Sequence, residues 1–232
     1  MLSKNDLRNA IAPTNRGISA TAADRQAIAS IIARVEDANP MPEPLSALDL
    51  LAGDWRLLYT TSQELLGIDR FPIAKLGNIY QCIRPEQTRI YNIAEVNTLP
   101  LCEGLVSVIA SFTPAPSEKA SATNTAENSS EEQSTAVAEL STRKVNVQFN
   151  RAVFGLQRIL GYQSPAQYID KLAKIEKFNP LQGIDFAINT EREPGWLEVT
   201  YLDKDLRIGR GKSRFRWARL NTLLAHLIHH LW

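Results

Sequence analysis

Hydrophobic positions along this chain change their period as the sequence proceeds. Near the start they recur every three to four residues. Leu7, Ala10 and Ile11 follow Ser3-Lys4-Asn5-Asp6, which fits a capping box opening a helix, and Pro13 stops it. Asn15-Arg16-Gly17 reads as a turn. Thr21 or Asp24 opens a second helix, whose Ile28, Ile31, Ile32 and Val35 make one apolar stripe. Asn39-Pro40 ends it, and the segment through Pro44 is an extended, proline-stiffened link.

From Leu51 onward the period becomes two. Strands are predicted at 54–61, 78–84, 88–96, 104–112, 144–150, 184–190, 196–202 and 212–218. Turn residues separate them, among them Pro85, Pro100, Pro114 and Gly195, and regular short strands of this kind indicate a barrel or a sandwich. Two segments bracket the β-like region, Leu51–Thr60 and Leu197–Arg207. Trp55, Leu57 and Tyr59 share one face of the first, and Leu197, Val199 and Tyr201 share one face of the second. Matching aromatic inner faces on the outermost strands suit a sheet closing on itself around an apolar hole.

Two stretches break the pattern. Ser164-Pro165 opens a helical run over 164–177 with Tyr168, Leu172 and Ile175. Residues 114–143 are dominated by Ser, Thr, Ala and Glu without an aromatic residue, and are expected to form a disordered loop between two strands.

Composition narrows the function classes. The chain has 232 residues, 44% of them hydrophobic, and a net charge of +1, which is ample for a core and excludes a global nucleic-acid footprint. Cys82 and Cys102 fit neither a disulfide framework nor a metal motif. The N-terminus lacks the pattern of a signal or transit peptide. No run approaches the roughly 20 apolar residues of a spanning helix, so the chain is expected to be soluble or peripherally attached.

The charged residues near the C-terminus allow two readings each. Asp203, Asp205 and Arg207 alternate, with Arg210 nearby. They form either a polar latch for a ligand head group or an ion-pair and turn network holding strand ends together. An enzyme would require Asp203 or Asp205 to face inward, and no nucleophile–base–orienter set is present. On the last predicted strand Lys212, Arg214 and Arg216 face one way, and Ser213, Phe215 and Trp217 the other. Arg214 and Arg216 are either a solvated outer face or a stripe for anionic lipid. Beyond them Leu223, Leu224, Leu227, Ile228 and Leu231 line one helical face beside Trp232. That helix is too short to span a bilayer; it lies in a membrane interface, or folds onto a partner or the barrel. His226 and His230 have metal-compatible spacing but no third ligand, so neither metal nor cofactor is expected.

Several motifs, in order across most of the chain, resemble the plastid lipid-associated proteins, or plastid fibrillins. They are Thr14-Asn15-Arg16-Gly17-Ile18, Asn39-Pro40, the run Leu51-Ala52-Gly53-Asp54-Trp55-Arg56-Leu57-Leu58-Tyr59-Thr60-Thr61, and Tyr201–Gly211. The resemblance implies a lipocalin-like antiparallel β-barrel that binds hydrophobic small molecules at photosynthetic membranes or lipid globules. In that architecture a tryptophan at position 55 plugs one barrel end, with Arg207 or Arg210 stacked on it. The resemblance also implies that some members support a prenyl-diphosphate synthase in prenylquinone synthesis. Without a transit peptide the chain looks like a cyanobacterial member at the thylakoid periphery, or a trimmed plastid form.

The combined expectation is a mainly β protein in three parts. Residues 1–45 form N-terminal helices, 46–220 the barrel with 114–143 inserted, and 221–232 a C-terminal amphipathic helix. The expected function is non-enzymatic binding, carriage or scaffolding for an isoprenoid, prenylquinone, carotenoid or acyl lipid. The expected pocket lining is Trp55, Leu57, Tyr59, Val147, Phe149, Val199, Tyr201, Phe215 and Trp217.

Overall fold

A computed structural model describes residues 3–62, 75–97, 102–117, 140–188 and 194–212. Two helices come first, α1 (Lys4–Ile11) and α2 (Ala22–Asp37), and both open on the predicted caps. The Ser3 hydroxyl accepts from Asp6 N while Asp6 Oδ2 accepts from Ser3 N at 2.7 Å, and Thr21 and Asp24 repeat the arrangement. The Ser3 and Thr21 hydroxyls also donate to these carboxylates, at 2.8 and 2.7 Å, and together with the backbone N–H groups of the same residues hold both aspartates below the ordinary carboxylate range. Thr21→Ala removes one cap and lowers stability by about 1 kcal/mol, read as a shift in the thermal melt.

After a short helix α3 (Leu48–Leu51), the sheet runs through β1 (Gly53–Arg56), β2 (Lys75–Arg84), β3 (Arg89–Asn97), β4 (Gly104–Pro116) and β5 (Leu140–Leu156). Two outer helices follow, α4 (Gln157–Leu160) and α5 (Pro165–Lys174), then β6 (Ile184–Ala187), β7 (Gly195–Leu202) and β8 (Arg207–Lys212). The strands form one antiparallel meander in the order β1-β2-β3-β4-β5-β7-β8, with β6 pairing on β5. A bulge at Asn150 marks the place where β5 exchanges its β7 partner, 144–147, for its β6 partner, 151–154. The result is a nearly closed barrel. Among the described residues β1 and β8 share no backbone ladder, and side chains bridge that seam.

The barrel interior has a lower and an upper half. The lower packs Ile83, Ile90, Phe112, Val145, Val147, Val199 and Leu202 under the capping segment that carries Leu45 and Leu51. The upper packs Ile79, Ala94, Val106, Val108, Ala152 and Phe154, with Leu57, Phe149 and Phe186 against them. The opposite face of β2–β5 is also apolar. Cys82, Tyr91, Ile93, Ile109 and Val153 pack there beneath Leu160, Tyr168 and Leu172 of the outer helices. Burial and the neighbouring Asp54 push the Cys82 thiol up, which suits an inert core residue.

Several predicted boundaries move. Strand 54–61 ends at Arg56: Leu57 N still donates to Ile79 O, but the chain then leaves the ladder and Thr60 N donates to Arg16 O at 3.0 Å. Strand 104–112 continues through Pro114 to Pro116, because β3 stops opposite Ser111 and leaves those prolines on a free edge. The insertion is therefore shorter than 114–143: residues 114–116 and 140–143 belong to β4 and β5, and 118–139 lie outside the described residues. The helical run 164–177 ends at Lys174, and the strand predicted over 184–190 ends at Ala187.

The last strand begins earlier than predicted. Asp203–Leu206 is a turn rather than a continuation, and β8 starts at Arg207. Residues 213–232 lie outside the described residues. They include Arg214, Phe215, Arg216 and Trp217 of the predicted final strand and all of the predicted C-terminal helix with Leu223, Leu224, Leu227, Ile228, Leu231 and Trp232.

Candidate functional site

The floor of the barrel is built on Trp55 and Arg207. Trp55 sits on the inner face of β1, and its Nε1 donates to Leu51 O at 2.9 Å, tying the strand to α3. Arg207, the first residue of β8, lies across the seam with its guanidinium 5.4 Å from the Trp55 ring centre. Its Nη2 donates to Gln81 Oε1 on β2, and Gln81 Nε2 donates to Asn92 Oδ1 on β3 at 3.0 Å. A chain of polar side chains thus bridges strands that share no backbone bonds at the seam. Arg207 Nη1 is buried without a hydrogen-bond partner. Burial, with no acidic group opposing it, brings the guanidinium down to about 10.

A cavity of about 10 Å³ lies against this floor, bounded by Arg207 and by Leu51, Ile83, Phe112, Val145 and Val199 among others. It has room for about one water molecule.

The expected pocket residues divide into four groups. Trp55, Val147 and Val199 meet in the lower half, and Leu57 and Phe149 reach the upper half. Tyr59 and Tyr201 do not join them. Both pack with Leu7, Ile11, Ile28 and Val35 of α1 and α2. For Tyr59 the cause is the departure of the chain from β2. For Tyr201 it is a bulge: Val199 pairs with Gly209 but Tyr201 with Ile208, so one extra residue reverses the alternation and puts Leu202 on the Val199 face. Phe215 and Trp217 lie outside the described residues. Gln81 and Asn92 escaped prediction, although each is a polar residue between apolar neighbours on one face, Ile79-x-Gln81-x-Ile83 and Ile90-x-Asn92-x-Ala94.

The four residues expected as a latch or closure part company. Asp203 caps the β7–β8 turn, its Oδ1 accepting from Asp205 N and Leu206 N, both at 2.8 Å. Its Oδ2 accepts from Tyr201 Oη at 2.7 Å and from Lys4 Nζ at 2.6 Å, which fastens α1 to the turn. Burial raises the Asp203 pKa, but the Lys4 ammonium, the Tyr201 hydroxyl and two backbone N–H groups outweigh it and hold the carboxyl well below its ordinary range. Burial and this carboxylate push the Tyr201 hydroxyl up to about 12. Asp205 is exposed, 3.9 Å from Lys4. Arg207 turns into the barrel, whereas Arg210 turns outward and pairs with Glu36 of α2 at 2.6 Å.

The other shared motifs are also fastenings. Asn39 Nδ2 donates to Met41 O and Thr200 O, and its Oδ1 accepts from Met41 N and Leu202 N. Arg16 Nη2 reaches Leu76 O at 2.8 Å, and Gly17 lies against Thr60. The N-terminal helices are thereby drawn over the side of the barrel where β1 and β8 part, with Tyr59, Tyr201, Leu206 and Ile208 beneath them.

Comparison with known proteins agrees with this distribution of motifs. The PAP_fibrillin family model matches residues 1–125 and 117–215. The chain is 34% identical over 214 residues to plastoglobulin-1, chloroplastic, of Pisum sativum, covering 90% of this chain and 58% of that protein. It is 31% identical over 236 residues to the light-induced protein, chloroplastic, of Solanum tuberosum, covering 91% and 64%. It is 27% identical over 221 residues to the chromoplast-specific carotenoid-associated protein of Cucumis sativus, covering 85% and 61%. The chain spans about three fifths of the length of these curated relatives. No solved structure matches it. With a family model covering nearly its whole length, on the motifs that fasten helices to barrel, the chain belongs to the PAP_fibrillin family of plastid lipid-associated proteins.

Proposed function

We propose that this protein is a non-enzymatic binder of a hydrophobic small molecule, held in the barrel with an oxygen-bearing head at Arg207. The observation that carries the reading is the Arg207 Nη1, a buried donor with no partner among the described residues, set against the apolar cluster of the lower half. Leaving such a donor unmatched costs about 1–3 kcal/mol, more for a charged group, and a ligand carboxylate or carbonyl would relieve it. The apolar body of the ligand would lie above the floor, among Leu57, Phe149, Val106 and Val108. Entry requires the interior to expand beyond its present cavity. The seam between β1 and β8, which share no backbone ladder among the described residues, is where that expansion costs least. The names of the relatives, among them a carotenoid-associated protein, support a hydrophobic cargo and a plastid setting. Asp203, with both oxygens engaged in the turn and the α1 contact, supports a role without acid–base chemistry. Among the described residues no helix is long and apolar enough to cross a membrane.

Lipid extraction and mass spectrometry of the purified protein, with uptake of a fluorescent polyene fatty acid and its methyl ester, test the reading. Arg207→Met is expected to weaken fatty-acid binding about 10-fold or more, through loss of one charged hydrogen bond. The same change is expected to cost about 1–3 kcal/mol of stability, because it leaves Gln81 Oε1 without its donor and removes the stack on Trp55. A protein that carries no hydrophobic molecule and takes up neither probe does not have this function.

A further inference from the structure

Outside the barrel interior, an open cleft of about 420 Å³ separates α1 and the turn at 12–17 from the chain around Arg56–Leu58. That volume lies within the usual range for small-molecule sites. Three arginines line it: Arg8 from α1, Arg16 from the turn and Arg56 from the end of β1. Ile11, Leu57 and Leu58 supply an apolar wall, and among the described residues no aspartate or glutamate lines the cleft. Some other arginines of this protein have carboxylate partners, as Arg84 has Asp54, Arg151 has Asp185 and Arg210 has Glu36. Arg8 and Arg56 are exposed, and their guanidinium groups have no carboxylate partner among the described residues. Arg16 is fixed by its bond to Leu76 O, so one cationic wall is preorganised.

We propose that this cleft is a binding site for the acidic headgroup of a membrane lipid. Planar guanidinium groups match phosphate, sulfate or carboxylate oxygens two at a time. Leu58, 36% exposed on the same wall, receives the beginning of the acyl chain. A free inorganic anion has no use for that apolar side, which is why the site is assigned to a lipid. Leu57 lines the cleft and also packs on the upper half of the barrel core, so the membrane contact adjoins the interior. The site is independent of Arg207, and the two sites can fail separately.

The test is flotation of the full chain with phosphatidylcholine vesicles, with and without phosphatidylglycerol. Arg8→Gln with Arg56→Gln should lower partition onto the acidic vesicles about 30-fold, the effect of two basic residues at a charged surface. Neutral vesicles should show no such change, and the melting temperature should hold because both side chains are exposed. Arg25→Gln with Arg34→Gln, an equal charge change on exposed positions of α2, controls for net charge and should have much less effect. Leu58→Ser should weaken acidic-vesicle binding without changing its salt dependence. An equal loss in the α2 control, unchanged partition of the cleft variant, or displacement from vesicles by millimolar inorganic phosphate overturns the assignment.

Discussion

Gly17→Ala is expected to destabilise the protein by about 2–6 kcal/mol, the sum of backbone strain and overpacking. Gly17 has φ +100°, and a Cβ there would lie 2.3 Å from Thr60 O and 3.2 Å from the Tyr59 ring. The first contact is with backbone, so no side-chain rotation relieves it. The displaced strand extension carries the Thr60 N to Arg16 O bond and the Tyr59 ring that packs beneath α1 and α2. The substitution therefore separates the helices from the barrel as well as straining one residue. Gly53→Ala gives the comparison, because Gly53 has φ +138° but nothing within 4 Å of an added Cβ. It should cost only the backbone strain, about 1–3 kcal/mol. Urea melts of the two variants separate the terms. Equal midpoints would mean that the approach to Thr60 yields without cost.

Where local chemistry decides an element, the sequence is a good guide to this fold. Ser3 and Thr21 cap α1 and α2, and Ser164-Pro165 opens α5. Of the two arginines offered as partners of Trp55, Arg207 lies over its ring and Arg210 turns outward to Glu36. Bulges defeat the pattern. A reader counting by twos from Val199 arrives at Tyr201 on the inner face, and only the pairing with β8 reveals the added residue. Asp203, Asp205 and Arg207 look like alternation, yet Asp203–Leu206 is a turn, since an aspartate that accepts two backbone N–H groups ahead of it competes with the ladder. The second apolar face was hidden for another reason. Leu105, Ile109 and Val153 face the outer helices while Val106, Val108 and Ala152 face inward, so the strands read as unbroken apolar runs.

Local pattern is blindest to long-range charge, and there the largest remaining effect is expected. Arg151 on β5 and Asp185 on β6 were invisible as a pair, yet Arg151 Nε and Nη2 donate to the two Asp185 oxygens at 2.9 and 2.6 Å. Phe178 N adds a third bond at 2.7 Å, and Arg151 Nη1 donates to Ile175 O, so the pair ties the chain beyond α5 to the sheet. The Asp185 side chain is 2% exposed and that of Arg151 20%. Asp185→Ala leaves the guanidinium without its carboxylate and should cost about 3–5 kcal/mol. Burial raises the Asp185 pKa, but Arg151 and the Phe178 N–H outweigh it and hold the carboxyl below its ordinary range. Its stabilisation is therefore complete above the unfolded pKa, about 3.9, and is lost as pH falls through the folded value. Urea midpoints of the wild type should fall below about pH 4 more steeply than those of Asp185→Asn, which has no carboxyl to protonate. Parallel acid limbs would place the proton-linked stability elsewhere, with Asp203 the next carboxylate to test. Replacing both partners, Asp185→Leu with Arg151→Met, should recover most of the loss, because the single change is costly chiefly through the cation it strands.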